Sequence, residues 1–290
     1  MKKIVVTGGL GFIGSHTVVE LQNAGFDVVI IDNLSNAQEN VKDHIAKITG
    51  KMPVFEKFDL RNKADVQDFF KRHRDVQGVI HFAASKAVGE SVEKPLLYYE
   101  NNLTSLVYLL QELSKLPKAH FIFSSSCTVY GQADELPITE NAPVKKAESP
   151  YGNTKQINEE IISDTCKVTR DYIHVVDLAK AHVIALQRLL ESKNTENYEV
   201  FNIGTGKGST VLEVIQSFER VSGKKLNYQI VGRRAGDITA AYANTDKANN
   251  VLGWKAQSTL DDAMRSAWQW EQKVRGRSVR AAQAGEKLAN

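Results

Sequence analysis

Over its first 130 residues the chain alternates short apolar runs with stretches whose apolar positions recur every three to four residues. The runs, at residues 3–7, 27–32, 54–59, 78–83 and 120–125, are rich in β-branched and aromatic side chains and end in small or polar ones. Parallel strands buried on both faces read this way. Between them the helical pattern falls at residues 12–24, 38–49, 64–72 and 95–115. The last is the clearest: Leu103, Leu106, Val107, Leu110 and Leu113 share a face, and Pro95 suits a first helical turn. Such alternation predicts an α/β protein built on a doubly wound parallel sheet.

Beyond Ser149-Pro150 the pattern is more broken. A helix is expected from Tyr151 to about Lys167, then an apolar run at residues 172–176, and a further helix from Asp177, a suitable N-cap, to about Glu191. Strands follow at residues 199–203 and 226–231, around a helix at 211–222. These pieces predict a sheet-bearing domain at residues 1–167, then the rest of the sheet with a smaller mixed α/β substrate domain at 168–270. The stretch at residues 271–290 lacks an apolar face and reads as a loosely ordered basic tail.

Charge adds little beyond that tail. Formal net charge is +3, and five basic against two acidic residues after Trp270 account for all of it. The first 270 residues are therefore neutral overall, which argues against a nucleic-acid-binding face. No apolar stretch reaches the 18 or so residues of a membrane span, and the run after Met1 is too short for a secretory signal. Cys127 and Cys166 lack metal or redox spacing and read as free thiols of a cytoplasmic protein.

The candidate chemistry begins at Thr7-Gly8-Gly9-Leu10-Gly11-Phe12-Ile13-Gly14, between the first strand and the first helix. There Gly8 permits a tight turn, Gly11 lets backbone approach a pyrophosphate, and Gly14 lets the helix pack against the sheet. Asp32 ends the second strand, where a carboxylate accepts ribose hydroxyls and repels a 2′-phosphate, favouring NAD in a Rossmann-type fold. Asp59 and Leu60, at the end of the third strand, read either as an adenine contact or as a plain strand ending. Tyr151 and Lys155 stand four residues apart, hence on one helix face, where an ammonium favours the phenolate needed of a general base. Ser124, Ser125 and Ser126 place hydroxyls at the carboxyl edge of the sheet, with Ser126 reading either as a substrate contact or as a local cap. His16 and His81 lack ligand spacing, and no metal is expected.

The segments TGGLGFIGSH, DNLSN, HFAASKAVGES, SSSCTVYG, SPYGNTK, RDYIHVVDLA and RRAGD together resemble the extended short-chain dehydrogenase/reductase family, in its sugar-nucleotide epimerase branch, from Met1 to about Trp270. By that resemblance Phe12, Ile13, Asn33, Phe82, Ala83, Lys86 and Asn101 join Gly8, Gly11, Gly14, Asp32, Asp59 and Leu60 in holding NAD. Ser126, Tyr151 and Lys155 carry the chemistry, and Arg170, Arg234 and Asp237 hold the UDP part of a UDP-sugar. The resemblance implies interconversion of UDP-glucose and UDP-galactose by transient oxidation at C4, and a homodimer paired through the helices at 95–115 and 151–167. A 4,6-dehydratase would carry acids where Cys127 and Thr128 stand. The competing readings are a truncated NAD-binding homologue with impaired or no turnover, and another NAD-dependent sugar-nucleotide epimerase or dehydrogenase.

One departure is large. Tyr151 and Arg170 are nineteen positions apart, whereas the family separates the matching motifs by roughly eighty. The interval missing between Lys167 and Arg170 would carry a sixth strand and part of the uridine and nicotinamide contacts. Either the gene product has lost it, or the sequence skips it.

Overall fold

The computed structural model describes residues 1–163, 173–196, 198–230 and 241–287, with side chains described as far as Lys273. Burial dictates its centre. In β1 (Lys3–Thr7) the residues Ile4, Val5, Val6 and Thr7 are wholly enclosed, as only a middle strand can be. It pairs in parallel with β2 (Asp27–Ile31) on one side and β4 (Val76–His81) on the other. With β3 (Val54–Glu56) beside β2 and β5 (His120–Phe123) beside β4, the order is β3-β2-β1-β4-β5. The expected doubly wound sheet is thus present, with β3 ending at Glu56 and β5 at Phe123, before the polar residues that sequence had counted in.

Alternate residues face opposite layers. Val5, Val29, Ile31 and Val79 meet Val66, Phe69 and Phe70 of α3 (Lys63–Arg72) and Leu109 and Leu113 of α5 (Pro95–Leu113). On the other face lie α1 (Phe12–Asn23) and α7 (Val175–Leu190). Gly78 explains how closely α7 settles, because a Cβ there would stand 2.8 Å from a Leu186 methyl and 3.2 Å from one of Ile4. The remaining helices of this layer structure are α2 (Val41–Thr49), α4 (Val88–Glu93) and α6 (Pro150–Ser163). Asn62 caps α3 by accepting from the amides of Ala64 and Asp65, and Gly50 closes α2 in the left-handed region.

Several expectations for the second half need correction. The helix expected to begin at Asp177 starts at Val175, because His174 caps it by accepting from the Val176 amide, leaving Asp177 buried in the first turn. Of the apolar run at 172–176, the described residues 173–176 lead into this helix and form no strand. Residues 199–203 form no ladder either: Ile203 packs with Ala181, Ala248 and Trp254, and Asn202 bonds the segment around Ile138. Residues 226–230 are likewise outside any sheet, with Leu226, Tyr228 and Ile230 exposed. β5 is accordingly an edge of the sheet among the described residues.

The chain divides into two compact units, Met1–Gly208 with Gly232–Ala256, and Ser209–Val231 with Gln257–Asn290. This differs from a division near residue 167, because α7 packs on α1 and β5 and so belongs with the sheet. Within the second unit, α8 (Val211–Ser222) packs on α9 (Leu260–Lys287) through Phe218 against Trp268 and through Asp261, which accepts from Ser217 and Arg220. The described elements of this unit are helices. The backbone stays helical through Lys287, well past Trp270.

Candidate functional site

Three glycines shape the first crevice. Gly8 has φ +66°, and a Cβ on it would lie 2.9 Å from the amide nitrogen of Ala83, so the ends of β1 and β4 meet only because the side chain is absent. A Cβ on Gly14 would fall 2.2 Å from the Gly8 carbonyl oxygen, which fixes how tightly α1 seats on the loop. Gly11 precedes α1 as an extended N-cap that makes no side-chain capping bond, and the first turn of α1 holds no acid. The start of α1 thus has neither a side-chain cap from Gly11 nor an acid in its first turn, and carries the positive field of a helix N-terminus.

Asp32 stands beside this loop, nearly buried. Its Oδ2 accepts from the Leu10 amide at 3.1 Å and its Oδ1 from Leu34 at 2.9 Å, so each oxygen keeps a lone pair for a further donor. Asn33 donates to Asp59 Oδ2 at 3.1 Å. Asp59 also receives a two-pronged bond from the Arg61 guanidinium, which holds its pKa down to about 2 despite partial burial. Leu60 is buried beneath. The Phe82 amide bonds the Thr7 carbonyl, and the Phe82 ring packs 4.8 Å from that of His182 on α7. Lys86 is exposed.

The loop after β4 is bound to α5 and α6 by a dense amide network. Asn101 donates to Ser85 Oγ. Its neighbour Asn102, buried, accepts from the Ser85 amide at 2.8 Å, donates to the Ser85 carbonyl at 3.0 Å and donates to Thr154 Oγ1 at 3.1 Å. One side chain so ties the Phe82–Lys86 loop to the helix that carries Tyr151 and Lys155. Sequence reasoning picked Asn101 and missed Asn102. The signal was there, since two adjacent asparagines inside a strongly apolar helix oppose helix propensity and ask for a polar task.

At the end of β5, Ser126 caps the 3-10 turn Cys127–Tyr130. Its Oγ accepts from the Thr128 amide and, at 2.7 Å, from the Thr128 hydroxyl. The capping alternative is therefore real, and an oxygen that accepts twice still keeps its own proton to donate. Ser149 caps the start of α6 through the Gly152 amide. Gly152 lets that start press on the turn, a Cβ there falling 3.2 Å from Thr128. Tyr151 and Lys155, each 3% exposed, are buried along one face of α6.

The Lys155 ammonium donates to the Ser124 carbonyl at 2.8 Å and stands 4.4 Å from the Phe123 ring centroid. Edge-on to Tyr151, at 6.4 Å between centroids, lies Tyr98. Burial and its bond to Glu90 push the Tyr98 hydroxyl up to about 12, so it stays a donor. His81, fully buried, bonds Thr7 Oγ1 at 2.7 Å, and desolvation aided by the Lys155 charge pushes it down to about 3. It is a neutral core histidine, and among the described residues no cluster suits a metal ion. Arg170, Arg234, Asp237 and Cys166 lie outside the described residues.

A five-stranded parallel sheet with a glycine cradle at its first crossover and buried Ser, Tyr and Lys at its carboxyl edge defines a dinucleotide-binding α/β protein of the short-chain dehydrogenase/reductase kind. Residues 4–168 match the NAD dependent epimerase/dehydratase family, and the chain belongs to it. UDP-glucose 4-epimerase of Drosophila melanogaster is 36% identical over 337 aligned positions, covering 92% of this chain and 96% of that protein. The Bacillus subtilis UDP-glucose 4-epimerase is 37% identical over 331 positions, with 92% and 96% coverage. A crystal structure of UDP-glucose 4-epimerase from Bifidobacterium longum, in complex with NAD+ and UDP, superposes with a TM-score of 0.88 at 36% identity, covering 94% of this chain and 98% of that one.

An alignment of 337 positions exceeds the 290 residues of this chain, so the relative carries internal sequence that is missing here. The family match ends at residue 168, where the spacing of motifs had pointed to the loss.

Proposed function

We propose that the chain interconverts UDP-glucose and UDP-galactose with a retained NAD. The observation that carries this reading is the burial of Tyr151 and Lys155 along one helix face, against Ser124–Ser126 at the end of β5. The residues present fit a dinucleotide: Gly8, Gly11 and Gly14 leave a cradle that side chains would fill, and Asp32 keeps lone pairs for ribose hydroxyls. Phe12, Ile13, Asn33, Asp59, Leu60, Phe82, Ala83, Lys86 and Asn101 would complete the site. NAD supplies a reversible hydride acceptor at the sugar's C4.

The protein's own groups then handle the proton. Tyr151 takes it from the 4-hydroxyl as the hydride leaves C4, and Lys155 offers the cation that offsets the phenolate. Ser126, its oxygen already bonded by Thr128, donates to the sugar oxygen and holds it in line. The flat 4-keto sugar, tethered by its UDP through Arg170, Arg234 and Asp237, presents its other face, and proton and hydride return. Nothing is consumed. UDP-galactose should give UDP-glucose without added nucleotide, and Tyr151→Phe should abolish the conversion; full turnover by that variant would refute the assignment.

The internal gap favours a second reading, an NAD-binding homologue whose sugar site is impaired. Calorimetry separates the two, since tight NAD binding without UDP-sugar binding belongs to the second. We further place the chain in the cytoplasm as a homodimer paired through α5 and α6. Leu96 is 80% exposed at the start of α5, which suits such pairing, and no described helix is long and apolar enough to cross a membrane. Sedimentation at micromolar concentration tests the dimer.

A further inference from the structure

The residues read as catalytic leave one charged group unexplained. Tyr151, Lys155 and Glu159 follow at intervals of four on α6 and so form one stripe. Glu159 is partly buried and accepts a hydrogen bond from the hydroxyl of Ser125, a side chain with no exposed surface. Ser125 lies between Ser124, whose carbonyl receives the Lys155 ammonium, and Ser126. The last residues of the β5 segment are thus fastened to α6 twice, once through a backbone carbonyl and once through a side chain.

We propose that Glu159 is a positioning residue that acts through Ser125, setting the backbone of Ser124–Ser126 so that Lys155 and Ser126 both point into the cofactor crevice. Extended backbone turns successive groups to opposite sides. A rotation that freed Ser125 would therefore swing the Ser124 carbonyl off Lys155 and the Ser126 hydroxyl off its line. Among the described residues, the His81 side chain on β4 bonds Thr7 and Tyr98 on α5 bonds Glu90 on α4, while the His81 carbonyl accepts from the Ser124 amide and so holds that residue on the sheet side only. The inference rests on the reading of Lys155 and Ser126 as site residues.

The test is NAD affinity of the full chain by calorimetry, a readout that needs no turnover, with UDP-galactose conversion measured alongside. Glu159→Ala should weaken NAD binding about tenfold, and Glu159→Gln, which keeps an acceptor for the Ser125 hydroxyl, should restore most of it. Ser125→Ala should reproduce the loss, and the double variant should be no weaker than either single one, because both remove the same bond. Unchanged affinity in Glu159→Ala, or full additivity in the double variant, overturns the proposal. Lys155→Met is the control. If it too binds NAD like the parent chain, the site assignment fails; if it loses NAD while Glu159→Ala does not, only the role of Glu159 fails.

Discussion

Gly14→Ala decides whether the glycine cradle is built by steric necessity. In an exposed helix the change stabilises by up to ~1 kcal/mol, because alanine restricts the unfolded chain and favours the helix. Here the new methyl would lie 2.2 Å from the Gly8 carbonyl oxygen, 2.8 Å from the Gly9 Cα and 3.0 Å from the Gly8 carbonyl carbon, when real Cβ contacts essentially never fall below 3.0 Å. All three neighbours are backbone, so no flexible side chain can yield. Either α1 lifts from the loop or the loop from β1, and overpacking of this kind costs about 1–3 kcal/mol. The sign of the effect therefore reverses relative to an ordinary helical glycine. Gly89→Ala in α4 is the matched control, with nothing within 4 Å of the built Cβ and no positive φ, and should be neutral or stabilising. Chemical denaturation should put Gly14→Ala below the parent chain. Calorimetry should show NAD affinity falling at least tenfold, roughly the 1.4 kcal/mol of displaced helix amides. A variant as stable as the parent, with NAD affinity intact, would refute the close-packing argument outright.

Other consequences are as sharply placed. His81 is buried neutral with its pKa depressed to about 3, so the unfolded chain binds a proton that the folded one refuses. Stability is then full above pH ~6.5 and declines as pH falls toward 3. His81→Gln should flatten that slope in urea titrations, leaving the smaller shares of His16 and His120, each lowered mainly by burial. Asp32→Asn keeps an acceptor for Leu10 or Leu34 but removes the charge, so preference for NAD over NADP should drop about tenfold in competition binding. Ser126→Ala removes the cap of the Cys127–Tyr130 turn and should cost about 1 kcal/mol in thermal unfolding, with a loss of turnover larger than that accounts for.

How far the sequence could be read follows from which interactions are local. Strands β1, β2, β4 and β5 and helices α1, α5 and α8 were legible because their apolar positions keep one period throughout and their ends carry glycine, proline or a capping residue. Gly8 and Gly14 were legible for the same reason, since turn and close packing are demanded within ten residues of each other. The start of α7 was misplaced because Asp177 has the composition of an N-cap, whereas the cap is supplied by His174, a residue type that composition does not single out. The runs at 199–203 and 226–230 have strand composition, but a strand needs a neighbour, and composition does not say whether one exists. Asn102 and Glu159 escaped notice because their partners, Ser85 and Ser125, are 17 and 34 residues away in sequence.

The internal gap divides the proposed activity unevenly. Every group assigned to cofactor and proton handling, from Gly8 to Lys155, precedes residue 164 and belongs to one compact unit with a continuous core. The assigned UDP contacts, Arg170, Arg234 and Asp237, all follow it in sequence. Loss of sequence between the two sets would remove uridine and nicotinamide contacts together, while the glycine cradle at the first crossover is present. Cofactor affinity and substrate affinity are consequently separable quantities in this chain. NAD binding is expected to persist even where UDP-sugar binding is weak, because the glycine cradle, Asp32 and Asn101 all stand in the described structure before residue 164. Weak NAD binding in a folded chain would contradict this separation, whatever the sugar site does.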